Sequence, residues 1–397
     1  MKPLSGIRAV DFSKVLAGPL CTQYLAELGA DVIKVEPPGS GDETRGWPPF
    51  TDGFGAVFLS VNRNKRSLAL DLKAEGAGEV VARLVAGADI VIESYGDGVA
   101  ERLGIGYEDL RRLNDRLIYC TISGFGRSGP LKANPGYDVI LQAFSGMMAM
   151  TGDEGGSYIR SPISPIDQMT GMHAYAGILA ALLERQRSGV GTLVEVSLFE
   201  TAISLMAYTF QGYWERGTDP AKCGSTHEAL CPYQAFETAD GPLMLGVAND
   251  NLWRKFCAVL GLGDVVDDPR FARNADRVAN RAETVRLVAD VLATKSLDPL
   301  VEALIAAGVP CAPINRVSQV AAHPHLAARG LVVTHGEPGS GGIRSVTRPV
   351  VFGDETRTFG TPAPRLGADS LGVLREIGLD DEGIADLFAK GAVAAAP

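Results

Sequence analysis

From Ile7 to Ser123 the apolar positions of the chain alternate between two spacings. Short, nearly continuous apolar runs at 7–12, 32–36, 67–72, 90–94 and 117–123 predict strands, and helical spacing at 21–28, 80–85 and 107–113 predicts helices between them. Runs this apolar are buried on both faces, which suits a parallel sheet covered by helices. Asn134-Pro135-Gly136 breaks the alternation. Beyond it the spacing predicts helices over 137–150, 167–186 and 198–213 and a strand over 192–196.

After Arg216 the chain turns polar at Gly217, Asp219, Pro220 and Gly224, and a smaller unit follows. Its predicted strands are 233–237 and 243–247, and its predicted helices are 251–259, 281–293 and 297–307, the last stopped by Gly308-Val309-Pro310. Proline and glycine then recur up to a last predicted helix over 369–377, and the Ala-rich tail 390–397 is expected to fray. The expected fold is α/β. A Rossmann-like large domain with a parallel sheet takes 1–216 and a returning C-terminal segment, 326–397, and a smaller α+β domain takes 217–325.

Composition narrows the function. With 46% hydrophobic residues in 397, the chain can bury a sizeable core. Its 37 Lys+Arg against 47 Asp+Glu give a net charge of −10, which argues against a nucleic-acid partner. No apolar run approaches the ~18 residues of a membrane span, so no membrane partner is expected. No apolar leader follows Met1, so a cytoplasmic protein is expected. Cys21, Cys120, Cys223, Cys231, Cys257 and Cys311 are scattered without a C-x-x-C pair, and the histidines form no i, i+4 pair, so neither disulfides nor a metal site is expected.

Several residues could carry chemistry. Glu36 ends the second predicted strand, where an acidic residue can hold a ribose, but Ser13 to Pro19 offers the single Gly18 where a dinucleotide fingerprint needs three glycines. Asn62-Arg63-Asn64-Lys65-Arg66 and Arg102 are basic stretches beside strands, open to two readings: phosphate contacts, or a solvated charged face. Asp167 opens a long apolar helix after Ser161-Pro162-Ile163-Ser164-Pro165-Ile166. It reads either as the helix N-cap or as a nucleophile kept ionised by the helix dipole, with Gly171 leaving room for a substrate.

Over nearly its whole length the chain resembles the class III CoA-transferases, the formyl-CoA transferase family. The resemblance rests on Asp11-Phe12 with Ala17-Gly18-Pro19, the stretch Leu28 to Glu36, Gly41-Asp42-Glu43-Thr44-Arg45, Asn64-Lys65-Arg66-Ser67, Gly136-Tyr137-Asp138, Asp167 with Thr170-Gly171, and Gly308-Val309-Pro310. It places the family's catalytic aspartate on Asp167. It places contacts to coenzyme A, a co-substrate and not a permanent cofactor, on Val15, Leu16, Ala17, Leu70, Lys73, Ser94, Tyr95, Arg102, Leu103 and Tyr137. Two basic contacts of the formyl-CoA enzyme are replaced by Pro37 and Pro135, with Lys132 or Arg66 as possible substitutes. Leu16 stands where that enzyme has a glutamine beside its nucleophile, which turns the reading away from formyl-CoA and oxalate.

Asp42 to Arg45, Leu59 to Lys65, and His227 with Pro232 to Phe236 are similar to the succinate/hydroxymethylglutarate branch. The resemblance therefore implies CoA transfer from a dicarboxylyl-CoA such as succinyl-CoA to a free carboxylic acid, in an interlocked homodimer. Arg45 and Arg160 are candidates for holding a substrate's second carboxylate, against internal pairing with Glu43 or Asp153. One rival is an α-methylacyl-CoA racemase, a branch that carries His where this chain has Tyr137. His173 lies about 600° around the helix from Asp167 at 100° per residue, facing elsewhere. The other rival is a non-catalytic CoA-binding subunit, which would keep the contacts without needing Asp167.

Overall fold

The structure, a computed structural model, describes residues 1–335, 342–353 and 360–396. Six strands carry the central sheet: β1 (Arg8–Asp11), β2 (Asp31–Glu36), β3 (Lys65–Leu70), β4 (Ile90–Glu93), β5 (Ile118–Ser123) and β6 (Thr192–Ser197). They pair in parallel in the order β3-β2-β1-β4-β5-β6, and the short C-terminal strand Val393–Ala394 adds antiparallel to β3. Val10 of β1 sits opposite Ile33 on one side and Val91 on the other, all fully shielded from solvent. Such strands need cover on both faces, which is why their sequences lack polar alternation.

The helices that supply the cover include α1 (Ala17–Glu27), α2 (Ala77–Ala86), α3 (Tyr107–Leu113), α4 (Asp138–Phe144), α5 (Pro165–Ser188) and α6 (Leu198–Leu205). Val80, Val81, Leu84 and Val85 of α2 pack with Ile33, Leu68 and Leu70 in one core. Helix α1 begins earlier than the spacing predicts because Pro19 lies in its first turn, where a missing N–H costs nothing. The expected helix over 137–150 is broken at Gly146, whose φ of 91° ends α4.

Two differences from the sequence reading have a common cause in pairing. Strand β3 begins at Lys65, two charged residues earlier than its apolar run, because both charges find acidic partners there. The described part of the tail, 390–396, does not fray: Ala392 and Val393 are buried, and Val393 pairs with Leu70 at the open sheet edge.

The chain forms two compact units. The first comprises 1–145, 161–211 and 325–397, and the second comprises 146–160 and 212–324. The segment 146–160 thus clusters with the second unit, although its sequence continues the first. In that unit β7 (Tyr233–Glu237), β8 (Pro242–Gly246) and β9 (Cys311–Pro313) form an antiparallel sheet over a core that includes Trp253, Phe256, Val288 and Leu304. Among the described residues no helix is long and apolar enough to cross a membrane.

Candidate active site

In an open α/β sheet a ligand crevice forms at the carboxyl ends of the strands where the order reverses. Here the reversal lies between β1 and β4. The segment after β1 (Lys14 to Ala17), the turn after β4 (Ser94, Gly96, Asp97) and the loop after β5 (Gly124, Lys132 to Tyr137) line a cleft of about 310 Å³ there, together with Asp167 and Leu198.

Asp167 is the third residue of α5, and Pro165 is the first. The residue before the helix, Ser164, makes no side-chain cap and holds a φ of 49°. The cap comes instead from Asp138 at the start of α4. Its Oδ2 accepts from the backbone N–H of Ile166 at 2.8 Å and of Asp167 at 3.0 Å. Gln142, one turn along α4, donates to Asp138 and accepts from Ser161 N–H at 2.8 Å, fixing the segment that leads into α5. The N-cap reading of Asp167 is therefore corrected. Its carboxylate is not spent on backbone donors and lines the cleft.

Burial, and then the nearby Asp138 charge, push the Asp167 carboxyl up to about 7. A carboxylate poised there is ionised for a large part of the time at neutral pH and is more basic than an exposed aspartate. Gly171 does not leave room for a substrate. A Cβ there would lie 2.5 Å from the Ala17 carbonyl oxygen, so this glycine lets α5 close onto α1.

The cations sort differently from the sequence reading. Arg45 donates through Nε and Nη2 to both oxygens of Glu36 at 2.7 Å, and its Nη1 reaches the Pro364 carbonyl at 3.0 Å. The expectation that Arg45 holds a substrate carboxylate is thus corrected: the guanidinium is committed to Glu36, not to Glu43 or a ligand. Glu36 in turn is unavailable to a ribose, since it also accepts from Ser67 Oγ at 2.9 Å. The basic stretch 62–66 is paired internally. Arg63 pairs with Glu27, Lys65 with Asp11 at 3.1 Å, and Arg66 with Asp31 and Glu376 at 2.6 and 2.7 Å. Arg160 is exposed and belongs to the second unit. Lys14 and Lys132 are the cations that do line the cleft, set against Glu43 at 3.1 Å and Asp97 at 3.5 Å.

His173 Nδ1 lies 3.1 Å from Thr201 Oγ1 of α6, away from the cleft lining. Residues 4–370 match CoA-transferase family III. The chain belongs to this family. A relative in Mus musculus, named succinyl-CoA:glutarate CoA-transferase, is 37% identical, covering 99% of this chain and 91% of its own. One in Agrobacterium fabrum, named succinate--glutarate CoA-transferase, is 38% identical over 94% of this chain and 96% of its own. The crystal structure of a CAIB/BAIF family protein from Brucella suis superposes with a TM-score of 0.85 at 35% identity, covering 95% of this chain and 99% of that one.

A CoA-transferase uses a CoA thioester as co-substrate, and the expected CoA contacts divide into two groups. Val15, Leu16, Ala17, Ser94 and Tyr137 line the cleft. Leu70 does not: its side chain is in the core and its backbone pairs with Val393. Tyr95 and Leu103 pack against the same core, while Lys73, after β3, and Arg102, the last residue of the short helix Val99–Arg102 after β4, are exposed. Of the two suggested replacements for the missing basic contacts, Lys132 stands at the cleft and Arg66 is taken by its acids. Glu93 escaped the sequence reading. It ends β4, accepts from Tyr95 N–H at 2.7 Å and from Arg127 at 2.6 Å, and so fixes the turn that carries Ser94.

Proposed function

We propose that this CoA-transferase moves CoA from a dicarboxylyl-CoA such as succinyl-CoA to a free carboxylic acid by way of a covalent adduct on Asp167. The observation that carries the reading is the Asp167 carboxylate lining the switch-point cleft with its own backbone N–H already satisfied by Asp138. An Asp167 oxygen attacks the thioester carbonyl, the C–S bond breaks, and a mixed anhydride and CoA thiolate result. The thiolate attacks the aspartyl carbonyl, releasing the first acid and leaving an aspartyl-CoA thioester. The acceptor carboxylate attacks that thioester, and the thiolate freed again takes the new acyl group, returning Asp167 as a carboxylate.

Each tetrahedral stage places negative charge on an oxygen, and backbone N–H groups aimed there stabilise it without reorganisation. Ala17, the first residue of α1, lines the cleft, and Leu16 before it provides no side-chain cap, so the Ala17 N–H is a candidate donor to that oxygen. The relatives named for succinyl-CoA and glutarate support a dicarboxylate substrate. The same proposal takes in the homodimer that the resemblance implies.

The test is a panel of acyl-CoA donors and free acids followed by mass spectrometry of the CoA products. Transfer from succinyl-CoA to a second dicarboxylic acid is expected to exceed transfer to butyrate by one to two orders of magnitude, about the worth of one charged hydrogen bond. Equal rates with glutarate and butyrate defeat the dicarboxylate reading. A 2-methylacyl-CoA incubated in heavy water is expected to take up no α-deuterium, because Tyr137 stands where the racemase branch carries its histidine. Rapid exchange would move the protein to the racemase branch.

A further inference from the structure

Residues Lys14 to Ala17 form one wall of the cleft, and Val15 within them holds a φ of 70°, a left-handed conformation that a β-branched residue avoids. Something must hold it there. The backbone on both sides of Lys14 is tied to a single buried ion pair. Lys34 Nζ donates to the Ser13 carbonyl at 2.9 Å, and Val15 N–H donates to the Asp42 carboxylate, 3.2 Å from Oδ2. Lys34 and Asp42 meet at 3.0 Å with side chains that are 1% exposed. Lys14 N–H between them donates to Ser94 Oγ at 3.1 Å.

Asp42 has further anchors. Its Oδ1 accepts from Thr44 N–H at 3.0 Å and Thr44 Oγ1 at 2.7 Å, and its own N–H donates to Glu36 at 3.0 Å. The carboxylate is thus fixed by the short helical turn Glu43–Gly46, whose first residue, Glu43, pairs with Lys14 at the cleft rim. A charge that is fully paired and hydrogen-bonded at every oxygen is costly to shift, so it makes a rigid support.

We infer that the Lys34–Asp42 ion pair positions the cleft wall, holding Val15 left-handed so that the Val15 to Ala17 backbone faces the ligand. Asp42 touches no reacting atom and is a positioning residue. The inference rests on the reading that this cleft takes the CoA thioester. Its consequence is that affinity for CoA depends on Asp42 through the conformation of Val15, and a glycine at 15, which adopts positive φ without strain, replaces part of what Asp42 does.

Two measurements test this. In the wild-type chain without ligand, hydrogen–deuterium exchange over residues 13–17 is expected to be at least 100-fold slower at Val15 than in an unstructured peptide. Exchange at the unstructured rate overturns the inference. Isothermal titration with free CoA is expected to show Asp42→Asn binding about tenfold more weakly than wild type. Adding Val15→Gly is expected to recover most of that loss while the melting temperature stays below wild type. A double variant no better than Asp42→Asn, or an Asp42→Asn chain that binds CoA like wild type, overturns it as well. Should Asp42→Asn fail to fold, the exchange measurement decides alone. If wild type binds no CoA while Val15 is protected, the ligand reading fails and the clamp stands.

Discussion

Asp167→Ala is expected to abolish CoA transfer, with a fall in turnover on the order of 10⁴-fold or more, as when any covalent nucleophile is removed. The size follows from the chemistry: without the carboxylate no anhydride and no aspartyl thioester can form, and direct attack of one carboxylate on a thioester leaves the thiolate unattached to the enzyme. Hydroxylamine added to wild type during turnover should trap a hydroxamate on Asp167, visible in the peptide that contains Ile166 and Gln168. Full transfer by the Ala variant sinks the assignment. Fold stability provides a control with the opposite sign. Burial and Asp138 raise the folded carboxyl to about 7. An acid whose pKa is raised by folding costs stability once the pH exceeds its unfolded value, most fully above the folded one. Asp167→Asn removes that cost, so at pH 8 it is expected to melt above wild type, with the advantage fading toward pH 4. A protein that loses its activity and gains stability from one substitution is carrying charge there for function.

The candidate nucleophile was legible in the sequence, but what positions it was not. Asp167 stands out because a carboxylate opening an apolar helix reads either as an N-cap or as a nucleophile, and the resemblance points to the same residue as nucleophile. Asp138 was visible as the last residue of Gly136-Tyr137-Asp138, yet nothing local says that it caps a helix whose first turn lies far along the chain, at Ile166 and Asp167. The cap depends on the excursion between α4 and α5 returning to its starting point. The basic stretch misled for a related reason. Sequence displays charges but not their partners, and Lys65 finds Asp11 only because β3 and β1 both flank β2. Arg45 is the sharpest case: an acid at hand in sequence, Glu43, lost to Glu36, whose place at the buried end of β2 makes an unpaired charge expensive. Period and polarity found the strands because both sheet faces are covered. They could not find Val393, where two residues in an Ala-rich tail suffice to close an open edge.

The pH dependence of the first half-reaction separates the two causes that raise Asp167. In the free enzyme only the ionised carboxylate attacks, so log kcat/KM for the acyl-CoA donor is expected to rise with unit slope up to a midpoint near 7 and then level. At pH 5 the rate should be about 100-fold below its plateau, since a group two units below its midpoint is about 1% ionised. The thioester does not titrate in this window, but the 3′-phosphate of CoA, a phosphate monoester with a second pKa of about 6, does, so the midpoint is assigned to Asp167 by its movement in Asp138→Asn. Asp138→Asn removes the like charge but keeps an amide oxygen for the N–H groups of Ile166 and Asp167. Because burial is the larger cause and the Asp138 charge the smaller, the midpoint should move to lower pH without returning to the ordinary aspartate range. A merely structural Asp138 would lower the plateau and leave the midpoint in place. Flat rates between pH 5 and 8 in wild type would mean that Asp167 is ionised throughout that range, and the raised carboxyl would lose its part in the mechanism. A shift in Asp138→Asn with an altered plateau, by contrast, ties one carboxylate to both tasks. It holds the start of α5 and sets how readily the neighbouring carboxylate gives up its proton and attacks.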